Sequence, residues 1–368
     1  MNIGFDAKRY FFNRSGLGAY SRNTIDLLLR HLPQHRYTLF TPHPGGTAAP
    51  RGVEVAGPSG VCAAFPSLWR SFALGRSLRG RIDLYHGLSN ELPADIARSG
   101  AASAVTVHDL IFVRYPRLYG PLDTVLYTRK YRQSCLHADC IVAVSRQTRD
   151  DLVELWGIPP ERIRVIYQGC HPRFRQPVAP ELSAAVRGKY RLPQDYLLSV
   201  GTLEERKNLL TVLQAMHIGR IDIPLVACGR RTPYADRLEK YAAAHGLSDR
   251  LLLLDRVGDD ELPALYRGCR AFVYPSLFEG FGIPILEALC SHAPVITTRG
   301  GVFGETGGDA CRYVDCRSAE EMAVALDRVL TDSALRRRMT RRGIRHAELF
   351  RDERIARRLA ALYDQLAP

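Results

Sequence analysis

The sequence predicts an α/β protein built from two doubly wound, parallel-sheet domains. Three observations predict it. Short apolar runs rich in β-branched and aromatic residues alternate with segments of helix-period apolar spacing. The runs are apolar throughout, the pattern of strands covered on both faces. Their number, thirteen, exceeds one ordinary sheet, and 368 residues suffice for two cores at roughly 150 residues per domain.

In chain order, the first half carries strands expected at 2–6, 37–41, 53–56, 82–86, 103–108, 140–144 and 163–167, with helices at 18–31, 121–137 and 146–155. The second half carries strands at 196–200, 223–228, 250–255, 270–274, 293–297 and 312–314, with helices at 207–217, 234–245, 284–291 and 319–331. Between the halves, the proline-punctuated stretch 169–182 has neither period and marks the break. In such sheets ligands sit beyond the carboxyl ends of the strands, and two domains facing one another would leave a cleft for a small molecule.

Composition narrows the classes. Lys and Arg number 51 against 38 Asp and Glu, a net charge of +13 that favours polyanions: nucleic acid, anionic lipid or phosphorylated small molecules. Arginine is densest over 336–358, where helical spacing makes a solvated face. No nucleic-acid motif accompanies it, so no specific nucleic-acid partner is expected. The nine cysteines form no Cys-x-x-Cys pair, which argues against a zinc site and a disulfide framework. No run approaches the ~20 apolar residues of a membrane span, and residues 1–6 lack the layout of a signal peptide. A cytoplasmic protein is expected.

The strand ends carry the chemistry. After the first strand, Gly16-Leu17-Gly18 opens a helix near Ala19, where glycines admit a ligand and helix N–H groups can receive an anion. His108-Asp109 ends another strand, and His86 a third; each imidazole could face a ligand or serve the core. The second half opens with Gly201-Thr202-Leu203-Glu204-Glu205-Arg206-Lys207-Asn208, placing two cations where the next helix begins, an arrangement suited to a diphosphate. After strand 270–274 comes Glu279-Gly280-Phe281-Gly282-Ile283-Pro284-Ile285-Leu286-Glu287. Its glycines expose backbone amides and Pro284 suits a first helical turn. Two carboxylates within so apolar a segment point to a ligand with hydroxyls at both ends rather than to two surface glutamates.

The pattern Glu279-x7-Glu287 around Gly-Phe-Gly-Ile-Pro resembles the signature of retaining GT-B glycosyltransferases of family 4. Val-Gly-Thr-Leu-Glu-Glu-Arg-Lys-Asn at 200–208, Val-His-Asp-Leu at 107–110, the early Gly-Leu-Gly and Val-Ser-Arg-Gln-Thr at 144–148 match in order and spacing. The likeness runs from residue 1 to about 366. It is strongest to bacterial members that build surface polysaccharides, mannosyltransferases among them. It implies an acceptor-side domain at 1–172, a donor-binding domain at 173–345, and a helix at 346–368 returning to the first.

The resemblance also implies roles. Glu287 would hold the ribose hydroxyls of a nucleotide, and Glu279 a hydroxyl of the donor sugar. The amides of Gly280, Phe281, Gly282 and Ile283 would meet sugar and phosphate. Arg206 and Lys207 would neutralise the departing diphosphate, with Gly201 and Thr202 beside it. His108 would touch the sugar, and Gly16 and Gly18 would let their loop approach the phosphates. Base contacts would come from near Gly229-Arg230 and Arg256-Val257. The co-substrate would be a nucleotide-diphosphate sugar, GDP-mannose first and a UDP-sugar second, with no cofactor. The acceptor would be a saccharide or a lipid-linked glycan.

No Asp-x-Asp stands at a strand end, so a metal-independent reaction is expected. Trp69, Arg70 and Phe72 with Arg129, Lys130, Tyr131 and Arg132 mix aromatics and cations, as a surface resting on anionic membrane would. Departures from the family pattern fall at Gln168 and His171 and around Glu305, which reads as structural. Two rival classes stay open: a non-hydrolysing sugar-nucleotide epimerase and a non-catalytic polyanion-binding protein.

Overall fold

The computed structural model describes residues 1–13, 16–43, 45 and 47–367. The chain forms two compact units: 1–169 with 350–368, and 170–349. Every strand named above is present among the described residues, with ends shifted by no more than two residues.

The first unit holds β1 Asn2–Asp6, β2 Arg36–Phe40, β3 Glu54–Ala56, β4 Leu84–Gly87, β5 Ala102–Val107, β6 Cys140–Ala143 and β7 Ile163–Val165. All pair in parallel, in the order β3-β2-β1-β4-β5-β6-β7. The second unit holds β8 Leu197–Val200, β9 Leu225–Cys228, β10 Leu251–Leu254, β11 Ala271–Tyr274, β12 Val295–Thr298 and β13 Arg312–Val314, in the order β10-β9-β8-β11-β12-β13. The inner strands β4, β6, β9, β11 and β12 are buried at every residue, as strands covered on both faces must be. Edge strand β10 is only half-buried over most of its length.

Each sheet starts at its centre, winds one way and then reverses. The reversal separates β1 from β4 in the first unit and β8 from β11 in the second. Beyond the carboxyl ends of such a strand pair the connections diverge and leave a crevice, the usual ligand position in this topology. Helices with local stop and start signals frame the sheets. Ser145 accepts from the Thr148 N–H at 3.0 Å to open helix Arg146–Trp156. Ser318 does the same for Glu321 at 3.0 Å on helix Ala319–Thr331.

Helix Asp352–Leu366 belongs to the first unit. Its buried Tyr363 hydroxyl lies 2.7 Å from His86 Nδ1 on β4, and Asp352 pairs with Arg30 at 2.8 Å. Helix Pro180–Lys189, with Pro180 at its first turn, occupies part of the stretch that the sequence reads as a break. Proline there starts a helix instead of interrupting one.

Candidate functional site

The second unit's reversal point is built from two loops laced together. After β8 the chain turns through Gly201, whose N–H reaches the Cys228 carbonyl at 2.9 Å. Arg206 and Lys207 lie in the short 3₁₀ turn Glu205–Lys207, and Asn208 then takes a left-handed conformation (φ 56°). The helix begins only at Leu209. The two cations therefore stand before the helix, not on its first turn as expected, because Asn208 breaks the turn. Its side-chain amide is fixed to the Cys316 carbonyl at 2.6 Å, and its Oδ1 accepts from the Thr211 hydroxyl at 3.0 Å. The Leu277 N–H donates to the Arg206 carbonyl at 2.9 Å, and Arg206 donates to the Phe278 carbonyl at 2.7 Å. The β8 and β11 loops are thus held to each other by backbone groups.

At the centre lies Glu279 Oε1. It receives Lys207 Nζ at 2.5 Å, Arg206 at 2.7 Å, the Ser276 hydroxyl at 2.6 Å and the Tyr274 hydroxyl at 2.9 Å. Lys207 also reaches the Tyr274 hydroxyl at 2.7 Å and lies over that ring. Burial would raise the Glu279 pKa, but Lys207 and Arg206 hold it down at about 2. Burial is the larger influence on Lys207 and lowers its pKa, with Arg206 pushing the same way against the attraction of Glu279. Glu279 is ionised at neutral pH, and Arg206 also pairs with Glu204 at 2.6 Å, so two cations face two carboxylates here.

Glu287 sits elsewhere, on helix Ile283–Cys290, half-buried. Its Oε2 accepts from the Tyr266 hydroxyl at 2.9 Å. Burial pushes its pKa up to about 7, with Asp259 adding to the rise and the Tyr266 hydroxyl and Arg173 too weak to offset it. The helix is entered through Gly282 at φ 86°, and Thr306 Oγ1 bonds the Phe281 carbonyl to fix the loop. Gly280 and Phe281 are buried and Ile283 is half-buried. Gly201, Gly229 and Val257 follow β8, β9 and β10 along the same sheet edge, with Thr202 next to Gly201. A side chain at Gly229 would meet the Gly201 carbonyl at 2.0 Å, so these two loops touch backbone to backbone.

Sequence reasoning missed Tyr274, Ser276 and Tyr266, whose hydroxyls serve the two carboxylates. A sign was present: a tyrosine closing an apolar strand must find a partner for its hydroxyl. Among the described residues, no three His, Cys, Asp or Glu are grouped to hold a metal ion.

In the first unit, His108 follows β5, buried, its Nε2 at 2.9 Å from the Leu88 carbonyl. Burial lowers its pKa to about 4. The ring is neutral at pH 7, donates from Nε2 and keeps Nδ1 as an acceptor. His86 resolves as structural: Tyr363 and Thr106 hydroxyls take its two nitrogens at 2.7 and 2.8 Å. Helix Gly16–His31 begins two residues earlier than the expected 18–31, so Gly16 and Gly18 lie in its first turn and not in a loop. At Gly18 a Cβ would fall 1.7 Å from the Asn13 carbonyl oxygen, which makes it a packing glycine. Arg14 and Ser15 lie outside the described residues.

The lipid-facing set needs correction. Trp69 is buried and donates to the Ser77 hydroxyl at 3.0 Å. Arg70 is buried between Asp6 and Glu91, and Tyr131 packs against Phe112. Each of the three is drawn inside by a partner outside that set, and not by the aromatics or cations beside it. What remains exposed is Phe72, Arg129, Lys130 and Arg132, with Leu122, Val125 and Leu126 added on helix Pro121–His137. Among the described residues no helix is long and apolar enough to cross a membrane.

Residues 15–174 match the family described as Glycosyltransferase Family 4, and residues 186–346 match Glycosyl transferases group 1. The O-antigen chain mannosyltransferase B of Escherichia coli is 33% identical over 273 residues, 73% of this chain and 70% of that one. Sucrose-phosphate synthase from Thermosynechococcus elongatus superposes with a TM-score of 0.78 at 20% identity, over 100% of this chain and 99% of the other. Anabaena HepE, solved with UDP and glucose, superposes with a TM-score of 0.77 at 16% identity over 100% of each chain.

Proposed function

The chain belongs to the group 1, family 4 glycosyl transferases, and on that premise we propose that it moves mannose from GDP-mannose to a growing bacterial surface glycan, with retention of configuration. It has the GT-B fold of two parallel-sheet domains, and sugar transfer in bacterial glycan biosynthesis is its activity. Mannose as the sugar is supported by the kinship with an O-antigen mannosyltransferase. A UDP-sugar is the second choice, since a structural neighbour holds UDP.

One observation carries the reading: Arg206 and Lys207 converge with Glu279 at the reversal point of the second sheet. Two fixed cations there suit a diphosphate leaving group. The glycosidic C–O bond breaks, the electron pair leaves on the phosphate oxygen, and Arg206 and Lys207 stabilise the charge that grows there. That duty needs no metal ion in this reading. The acceptor hydroxyl attacks the oxocarbenium-like carbon on the face the diphosphate vacates, and its proton passes to the departing phosphate oxygen. Products are a glycoside and a nucleoside diphosphate.

Glu279 fixes the cations before substrate arrives and accepts a hydroxyl of the donor sugar, next to the amides of Gly280 to Ile283. Glu287, ionised, accepts both ribose hydroxyls. Thr202 and the chain at Gly229 and Val257 border the nucleotide. Neutral His108 offers Nδ1 to a sugar hydroxyl, and a Cβ built on Gly16 would meet no described atom within 4 Å, which supports close approach of the phosphates there.

The test is a panel of nucleotide sugars with a saccharide acceptor. Released nucleotide is identified by mass spectrometry and the product anomer by NMR. GDP release from GDP-mannose, with the donor's anomeric configuration kept, is expected. Isomerisation of the nucleotide sugar without acceptor would assign an epimerase instead.

A further inference from the structure

At the opposite edge of the second unit's sheet, before β11 and β12, lies a concavity of about 450 Å3. Arg270 and Pro294 line it from the strand starts, and Ser333, Arg336, Arg337, Thr340 and Arg341 from helix Ser333–Ala347. Those five helix positions follow the spacing with which a helix turns one face to a neighbour. Here the face carries three guanidiniums and two hydroxyls, and Arg270 adds a fourth cation.

Neutralisation is thin. Asp195 stays 3.8 Å from Arg270 Nε, and Asp332 gives a carboxylate oxygen to the Leu335 N–H at 2.8 Å. Arg336 uses one nitrogen on the carbonyls of Val329 and Leu330, both at 2.6 Å. Arg337 reaches the Ser333 hydroxyl at 3.2 Å. Among the described residues, Arg336, Arg337 and Arg341 form no ion pair. Burial first, and then the neighbouring Arg270, lower the Arg336 pKa, against the pull of Asp195 and Asp332.

We propose that this groove is a second anion site, which binds a soluble diphosphate through Arg270, Arg336, Arg337 and Arg341. A diphosphate brings several negative charges and many acceptor oxygens, which forked guanidiniums and hydroxyl donors satisfy together. A concavity this small, confined to two helical turns and two strand starts, fits a compact anion better than an extended polymer. The inference is independent of the donor assignment, since it lies at the amino ends of strands whose carboxyl ends carry that site.

The test is calorimetric titration of the full chain with inorganic pyrophosphate in low salt, run on the wild type, Lys207→Ala and Arg337→Ala/Arg341→Ala. The wild type should show two binding events. The double variant should weaken one of them by tenfold or more while keeping its melting temperature and its transferase turnover. Lys207→Ala should weaken the other. A double variant that titrates like the wild type overturns the proposal. So does loss of flotation with phosphatidylglycerol vesicles, or of RNA binding, at unchanged pyrophosphate affinity: the groove would then be a polymer or lipid surface.

Discussion

The two glutamates show how surroundings divide the labour of identical side chains. Glu279 lies among Lys207, Arg206 and two hydroxyls and stays ionised, and in the proposed function it fixes those cations. Glu287 has one hydroxyl partner and little charge compensation, and its pKa of about 7 leaves it half-protonated near neutrality. Accepting two ribose hydroxyls requires the ionised form. Nucleotide affinity, followed by calorimetry, should therefore hold above pH 7 and fall toward tenfold per unit below it. Stability carries the opposite sign. A carboxyl with a raised pKa favours the fold below its unfolded value near 4.5, and that contribution is lost as pH rises through about 7. Glu287→Gln should gain stability on the wild type at pH 8 in thermal melts, and lose nucleotide affinity. Lys207→Ala should lower turnover about a hundredfold, since one preorganised charge is worth roughly 3 kcal/mol in such sites. Steady-state kinetics on a variant that melts normally checks this, and near-wild-type turnover would remove the leaving-group role.

Elements were legible wherever one local rule governed them. The all-apolar run Ala271–Tyr274 reads as a two-face-covered strand because it is short, holds a β-branched and two aromatic residues, and is closed by Pro275. Local spacing starts helix Leu209–Ile218 two residues early, since the left-handed Asn208 depends on a long-range bond to the Cys316 carbonyl that no local pattern encodes. The burial of Trp69, Arg70 and Tyr131 was hidden for the same reason: Asp6, Ser77, Glu91 and Phe112 meet them only in the fold. Two predictions belong at this scale. Gly229→Ala should unfold or strongly destabilise the second unit, because its Cβ would press on the Gly201 carbonyl at 2.0 Å with φ at 155°. Gly188→Ala, in open space on helix Pro180–Lys189, should be stabilising by about 0.5–1 kcal/mol. Denaturant titration of both variants separates the cases. On helix Pro121–His137, exposed Leu122, Val125 and Leu126 beside Arg129 and Arg132 suit the edge of an anionic bilayer. Leu122→Asp/Leu126→Asp should reduce flotation with phosphatidylglycerol vesicles severalfold, and equal flotation would clear this helix of membrane contact.

For the whole molecule, one rule is used twice. Each unit winds its sheet outward from a central first strand and reverses, and in the second unit the reversal brings Arg206, Lys207 and Glu279 together from loops 72 residues apart for Lys207 and Glu279. The sequence could show that these residues end strands, yet the convergence of both cations on one carboxylate oxygen required the fold. Helix Asp352–Leu366 makes the chain's final segment part of the first unit through His86 and Tyr363, a pairing 277 residues apart. The first of these features underlies the proposed function, in which the second sheet's reversal point receives a nucleoside diphosphate. A crystal structure of the chain with GDP tests it most directly. The account predicts diphosphate oxygens within hydrogen-bonding distance of Arg206 and Lys207 and both ribose hydroxyls on Glu287; a nucleotide bound away from these three side chains would contradict it.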